Sequence, residues 1–322
     1  MTTIRSTRTG LLTGLPGAAL LAAAAAAAAA ATLISPVLHA DTIGYWRFEG
    51  DATAWLTDSS GNNITLYQLG TTALPNRLAL PQTGGGAAFP RHLASQNNTS
   101  AIQGNGDTLS FNHRQLGADI SGHDDDLTSA FSFEAFVNLS WSHASDSAVI
   151  AGQGVSLSSG ASWALAVTGV NSTRGARNVL FQINTGGGAW ATGLQTLQSN
   201  LYLEPGKDYY IAVTADFTDT AKTGITIYLK DLSTPGATMQ TASLAHTGSI
   251  ASTSAVLSIG AAQGGGSPWY GAIDEVRLSD AKLTEPQLLI NQVQVPEPSA
   301  SAFISAALAL ALFILLRRHH QR

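Results

Sequence analysis

From residue 41 to about residue 294, apolar side chains recur at every second position in short runs closed by glycines or Asp/Asn/Ser clusters, which restricts this stretch to β structure. Tyr209, Ile211, Val213 and Ala215 fall on one face of a strand and Tyr210, Ala212 and Thr214 on the other, because successive strand side chains point to opposite sides. Ile225, Ile227 and Leu229 alternate in the same way with Thr226, Tyr228 and Lys230, so the nine residues from Asp216 to Gly224 join the two runs as a hairpin. Further strands are predicted at Ile43 to Glu49, Phe131 to Leu139, Trp163 to Thr168, Val179 to Asn184, Val256 to Gly260 and Ala272 to Leu278. Breakers separate them at Asp58 to Asn62, Gly84 to Gly86, Gly186 to Gly188 and Gly264 to Pro268. No internal repeat is evident, so residues 41–294 are read as one β-sandwich domain.

Charge is scarce and unevenly placed. Only 11% of the 322 residues are charged, against about 25% in an average globular chain. Eleven basic and twenty-one acidic residues lie between Asp41 and Pro298, a net −10, and there is no Lys/Arg run there, which argues against a nucleic-acid partner. The other basic residues sit at the ends: Arg5 and Arg8 before one apolar run, Arg317, Arg318 and Arg322 after another. Positive charge at both outer flanks predicts that both ends start on the cytoplasmic side and that the middle is exported. With no cysteine, disulfides and thiolate metal sites are excluded and core packing alone must stabilise the domain.

Residues 1–40 have the layout of a signal peptide: a basic start, an alanine-rich apolar stretch from Leu15 to Leu38, and Ala40 as the small residue before the expected signal-peptidase cut. Leu38 at the minus-three position and the length of the stretch keep an uncleaved signal anchor as the alternative. Residues 295–322 run in three parts: Pro296, Glu297 and Pro298, an uncharged run, then Arg317 and Arg318. The seventeen residues 300–316 reach the lower length limit for a helix crossing a hydrocarbon core about 30 Å thick. A plain tail anchor would not need the Pro-Glu-Pro. The order resembles the PEP-CTERM sorting signal. That resemblance implies Pro296, Glu297 and Pro298 as the element recognised by an exosortase-type enzyme, the helix as a membrane hold, and Arg317 and Arg318 as the cytoplasmic stop.

The middle resembles the laminin-G-like, concanavalin A-like jelly-roll domains. The segments that carry the likeness are YWRFEG (Tyr45 to Gly50), DSSGNN (Asp58 to Asn63), FSFEAFVNL (Phe131 to Leu139), YYIAVTADF (Tyr209 to Phe217), ITIYLKDL (Ile225 to Leu232), and LSIGAAQ followed by YGAIDEVRLSDAKLT (Tyr270 to Thr284). The resemblance implies an all-β jelly roll flanked by the signal helix and the transmembrane helix, with a variable stretch at 68–107 and a short helix after the last strand. It also implies that a structural Ca²⁺ is compatible with Asp58 or Asp274.

Candidate chemistry is thin. A retaining glycosidase needs two carboxyl groups about 5 Å apart, and no E-x-D-x-x-E run supplies them on one strand face. Asp274 and Glu275 are adjacent on a predicted strand and are expected on opposite faces. Glu134 could meet a carboxylate from another strand, although a hydrogen-bonded framework role is the simpler expectation. His123 and Asp124, Asp125 and Asp126 form a loop that is either a solvated acidic turn or a Ca²⁺ donor set. His92, His113, His123, His143 and His246 lack zinc-site spacing, and no G-x-S-x-G elbow is present. The N-x-S/T triplets at Asn63, Asn97, Asn98, Asn138 and Asn171 are read as polar turns. Sugar binding requires exposed rings, for which Trp141, Trp190, Trp269 and Tyr270 are the candidates, whereas Trp46 and Trp163 belong inside strands. The expected function is a non-enzymatic module at the cell envelope, cell surface or matrix, contacting polysaccharide or protein. The alternatives are a carbohydrate-active enzyme on the same scaffold and a structural matrix protein without specific ligand.

Overall fold

The alternating runs form strands, and two antiparallel sheets pack face to face in a computed structural model describing residues 42–69, 74–80, 89, 92–93, 96–103, 115–140, 147–154, 162–186 and 193–292. All of these belong to the unit Ala40–Arg322. In chain order the strands are β1 (Thr42–Trp46), β2 (Tyr67–Gln68), β3 (Asn76–Ala79), β4 (His92–Leu93), β5 (Gln96–Asn97), β6 (Ser100–Gln103), β7 (Leu116–Ala118), β8 (Ala130–Leu139) and β9 (Ala148–Gln153). They continue as β10 (Trp163–Val167), β11 (Asn178–Asn184), β12 (Leu194–Tyr202), β13 (Asp208–Asp216), β14 (Ile225–Asp231), β15 (Gln240–Leu244), β16 (Leu257–Ile259) and β17 (Gly271–Ser279).

The first sheet has eight strands in the order β15-β14-β13-β8-β17-β6-β3, with β1 also paired to β17; the second has seven, in the order β12-β11-β10-β9-β16-β7-β2. β4 and β5 form a separate hairpin. The predicted hairpin is β13–β14, with Tyr210 opposite Lys230 and Thr214 opposite Thr226. The first and last strands meet, Tyr45 opposite Arg277 and Trp46 opposite Val276, so the domain closes on its own termini.

The alternation sorts the side chains as expected. Tyr209, Ile211, Val213, Ala215, Ile225, Ile227 and Leu229 enter the core between the sheets, with Trp46, Phe131, Phe133, Trp163 and Phe181. Phe131 lies 5.0 Å from Trp163 and 6.1 Å from both Phe181 and Phe217, centroid to centroid. Full burial of each such phenylalanine or leucine stabilises the fold by about 2 kcal/mol.

The outer face of the eight-stranded sheet is buried as well. Phe136, Tyr210, Ala212 and Ala272 pack there against Phe89 and against Leu283, Leu288 and Leu289, which follow the last strand. The expected short helix is two 3₁₀ turns, Glu285–Gln287 and Leu289–Asn291, the first held at its start by Gln287 Oε1, which accepts from Thr284 N at 2.9 Å and Thr284 Oγ1 at 2.7 Å. Burial on both faces explains why β8 reads as a nearly unbroken apolar run.

Among the described residues no helix is long and apolar enough to cross a membrane. The expected signal segment 1–40, the helix 300–316, and Pro296, Glu297, Pro298, Arg317 and Arg318 lie outside the described residues.

Candidate functional site

The polar centre of the domain is built on an irregularity in β17. Its register against β8 runs regularly from Gly271 opposite Leu139 to Asp274 opposite Phe136, then resumes with Arg277 opposite Glu134. Two residues of β17 therefore lie between these pairs where β8 has one, which is a β-bulge, and Glu275 adopts φ +49°. Ile273 and Val276 both enter the inter-sheet core, so Asp274 and Glu275 share the outer face. This corrects the expectation from strict alternation that they diverge: the extra residue resets the period.

Both carboxyls are fully buried there, at 0% exposure. Glu275 Oε1 accepts from Arg47 Nη2 at 3.1 Å and Nε at 3.2 Å, and Glu275 Oε2 accepts from the Tyr45 hydroxyl. Asp274 Oδ2 accepts from Asn98 Nδ2 at 2.6 Å, while its Oδ1 accepts from Glu275 N at 2.9 Å. Burial, and then the Glu275 charge, push the Asp274 carboxyl well above its ordinary range. Burial also raises Glu275, opposed by Arg47 and Tyr45. Glu49, at the end of the same first segment, is pushed up by burial but ends below its usual value because Thr99 and Ser100 donate to it, the shortest nitrogen contact being Thr99 N at 2.6 Å.

Glu134 stands on β8 opposite Arg277 and anchors a second network. Its Oε1 accepts from Arg277 Nε at 2.7 Å and from Nη2, and its Oε2 accepts from Leu289 N at 2.7 Å and from the Tyr210 hydroxyl. Arg277 Nη2 also donates to Gln287 O at 2.7 Å, which ties the 3₁₀ turns to the sheet. The framework role expected for Glu134 is what the structure shows. With two donors on each oxygen, this carboxylate has nothing left to turn toward a substrate.

The other candidates separate clearly. Trp269 is 0% exposed, packed in the inter-sheet core with Nε1 donating to Ala272 O at 3.3 Å, and Tyr270 is 8% exposed. Neither offers an open ring face, which corrects their assignment as stacking residues: the glycine-rich turn before them feeds directly into β17 and draws both rings inward. Trp141 and Trp190 lie outside the described residues. Trp46 and Trp163 are core residues, as expected.

In the acidic loop Asp124 Oδ1 accepts from Gln153 Nε2 at 2.7 Å, Asp125 Oδ1 from Ser252 Oγ at 3.0 Å, and Asp126 faces His123 at 3.3 Å. Burial raises Asp124, assisted by Asp125 and Asp119. Among the described residues no three His, Asp or Glu side chains converge as a metal cluster. Asp58 accepts from Tyr45 N, Ser60 N, Ser60 Oγ and Ile64 N and organises the turn after β1. Asn98 and Asn138 are buried amides, Asn138 Nδ2 donating to Asp208 Oδ1 at 2.7 Å. Among the described residues the exposed rings are instead Tyr67 at 39% and Tyr202 at 48%, on the two edge strands of the seven-stranded sheet. Both strands are short or irregular in pattern, and no sequence signal distinguishes these tyrosines from core ones.

Several solved structures align with the chain at low similarity. Domain 4 of AbnA, a GH43 extracellular arabinanase from Geobacillus stearothermophilus, solved in complex with arabinotriose, aligns with a TM-score of 0.47 at 14% identity, over 80% of this chain and 100% of that one. The binding domain of botulinum neurotoxin DC in complex with SialylT aligns with a TM-score of 0.44 at 10% identity, over 79% of this chain and 52% of that one. The same toxin domain in complex with rat synaptotagmin II gives 0.43 and 12%, again over 79% and 52%. This chain thus spans about half the length of those toxin domains. No curated protein matches it in sequence. Residues 81–289 match the laminin-G family model described as the concanavalin A-like lectin/glucanases superfamily, and β1, although outside the matched range, completes the same sheet. The chain belongs to the concanavalin A-like lectin/glucanase superfamily.

Proposed function

We propose that this chain is a non-enzymatic carbohydrate-binding β-sandwich, exported by the N-terminal segment and held at the cell surface, or released to the matrix, through the C-terminal one. The observation that carries the non-enzymatic part is the commitment of the buried carboxylates. Glu134 and Glu275 are each locked by an arginine and a tyrosine, and Asp274 by Asn98 and a backbone amide. A glycosidase needs an oxygen of each catalytic carboxyl directed at the sugar. Superfamily membership and the exposed tyrosines support a binding role. Signal peptidase and an exosortase-type enzyme are the processing partners this reading assigns to residues 1–40 and 295–322.

The described residues around Asp274 do not fit a structural Ca²⁺: the ion takes six to eight oxygen donors, and Asp274 is met by two N–H donors, Asn98 Nδ2 and Glu275 N. Asn98 Oδ1 is buried with no hydrogen-bond partner, directly beside a carboxyl that burial makes costly to ionise.

A glycan array on the full-length chain tests binding: retention of polysaccharides supports it, and a blank array sinks it. Release of reducing sugar from any bound polysaccharide would overturn the non-enzymatic reading.

A further inference from the structure

Tyr202 closes β12 at the edge of the seven-stranded sheet, and its ring lies on the loop between β10 and β11. A methyl group added to Gly175 of that loop would sit 3.0 Å from Tyr202 Cε1 and 3.3 Å from its hydroxyl and would press the ring outward, and the φ of +89° there also favours glycine. The loop, residues 168–177, reads TGVNSTRGAR and also exposes Val170 at 36%.

The loop is held from beneath. Asn178 is 0% exposed; its Nδ2 donates to Arg174 O at 2.8 Å and its Oδ1 accepts from Asn200 N at 3.0 Å, tying the loop to β12. Thr168 Oγ1 accepts from Asn178 N at 2.8 Å and donates to Gly175 O. Arg177 adopts φ +57°, a conformation that costs a side-chain-bearing residue about 1–2 kcal/mol. Glycine would remove that cost, yet arginine stands there. Its Nε donates to Leu203 O at 2.9 Å, which lays the guanidinium along the segment that carries Tyr202. The remaining nitrogens of Arg177, and the whole guanidinium of the exposed Arg174, have no partner among the described residues.

The loop on which the Tyr202 ring lies thus carries two guanidinium groups without a carboxylate partner among the described residues, in a stretch that is −10 overall. A guanidinium recognises a carboxylate or sulfate through paired N–H donors, and a tyrosine face packs on the apolar side of a pyranose. A double helix would bring phosphates against a much wider acidic surface, which disfavours nucleic acid here. We infer that Tyr202, Arg174 and Arg177 form a binding site for an anionic polysaccharide, an inference that rests on the carbohydrate-binding reading above and adds its place and its charge class.

The test uses the full-length chain with polygalacturonate, dextran sulfate and uncharged dextran as probes, followed by calorimetry or fluorescence. Binding to at least one anionic probe that weakens with added salt, with none to dextran, is expected, and the two anionic arms separate carboxylate from sulfate recognition. Arg174→Ser with Arg177→Gly should weaken binding about tenfold or more while leaving Tm unchanged or raised, because Arg177→Gly relieves the backbone conformation. Tyr202→Ala should weaken it and Tyr202→Phe should not. Unchanged affinity in the double arginine variant overturns the site while leaving general glycan binding standing. Equal binding of dextran and the anionic probes overturns the charge class. Absence of binding to every polysaccharide removes both this inference and the reading beneath it.

Discussion

Replacing Arg277 with methionine would leave Glu134 buried and short of two of its four donors, with Tyr210 OH and Leu289 N remaining. Breaking a buried ion pair from one side costs about 3–5 kcal/mol, a large share of the roughly 5–15 kcal/mol by which a domain is stable. The change also removes one of the two donors to Gln287 O, leaving it Gln292 Nε2 at 2.7 Å, so the 3₁₀ turns lose their Arg277 attachment to the sheet and keep the one from Leu289 N to Glu134. Glu134→Leu should cost a comparable amount, because it leaves the Arg277 charge, the Tyr210 hydroxyl and the Leu289 amide without their acceptor. The double variant removes both charges and should be less destabilised than the sum of the singles by about 2 kcal/mol or more. Urea unfolding of the four chains measures this cycle, and amide exchange at Leu289 should accelerate in both singles. Additive costs, or a single that costs less than about 1 kcal/mol, would refute the account of Glu134 as the anchor of the C-terminal turns.

The remaining expectations are as follows. Trp269→Ala should destabilise by about 3–5 kcal/mol in urea unfolding and leave glycan affinity of the folded chain unchanged, since the ring is core. Gly271→Ala should prevent soluble folding, because the added carbon would lie 1.9 Å from Asn138 O at φ +145°; a well-folded variant by circular dichroism would contradict the β17–β8 register. Asp274 has a folded pKa raised above its ordinary 3.8, so its contribution is present below about pH 4 and is lost as pH rises through the folded value. In EDTA the stability of wild type relative to Asp274→Asn should therefore fall as pH rises above about 4. Added Ca²⁺ should affect the Tm of wild type and Asp274→Asn alike, and a rise confined to wild type would place an ion at this site.

How far the sequence reveals this architecture depends on what each strand touches. β13 and β14 show their two faces openly, because Tyr209 to Ala215 and Ile225 to Leu229 alternate between two buried layers of different character. β12, reading LQTLQSNLY, and β15, reading QTASL, are edge strands of partial burial, and their apolar residues keep no period. Glu134 is legible as a framework group because it is flanked by phenylalanine and alanine within a run with no free polar face. The bulge at Glu275 is not legible, since a non-glycine residue at φ +49° leaves no mark in the sequence, and it alone decides that two carboxyls share a face. Ring exposure fails for a similar reason: Trp269 and Tyr202 both follow or close strands, and only the segments packed over them distinguish core from surface.

The two sheets divide the work. The eight-stranded sheet covers its outer face with Phe89, Leu283, Leu288 and Leu289 and holds its buried carboxyls in internal hydrogen bonds, and it presents no open ring among the described residues. The seven-stranded sheet carries an exposed tyrosine on each edge, and each lies over a glycine: Tyr67 over Gly117, where an added methyl would come within 3.0 Å of Cζ, and Tyr202 over Gly175. Their electrostatic settings are opposite. Burial and then the nearby Asp119 charge raise the Tyr67 phenol, whereas the loop under Tyr202 carries Arg174 and Arg177. If ring exposure alone governed polysaccharide binding, Tyr67→Ala and Tyr202→Ala would weaken it alike. The charges predict otherwise: for polygalacturonate Tyr67→Ala should leave affinity within about twofold, and Tyr202→Ala should reduce it about tenfold. A larger loss from Tyr67→Ala than from Tyr202→Ala would place the glycan on the acidic edge and refute the role assigned to the arginines.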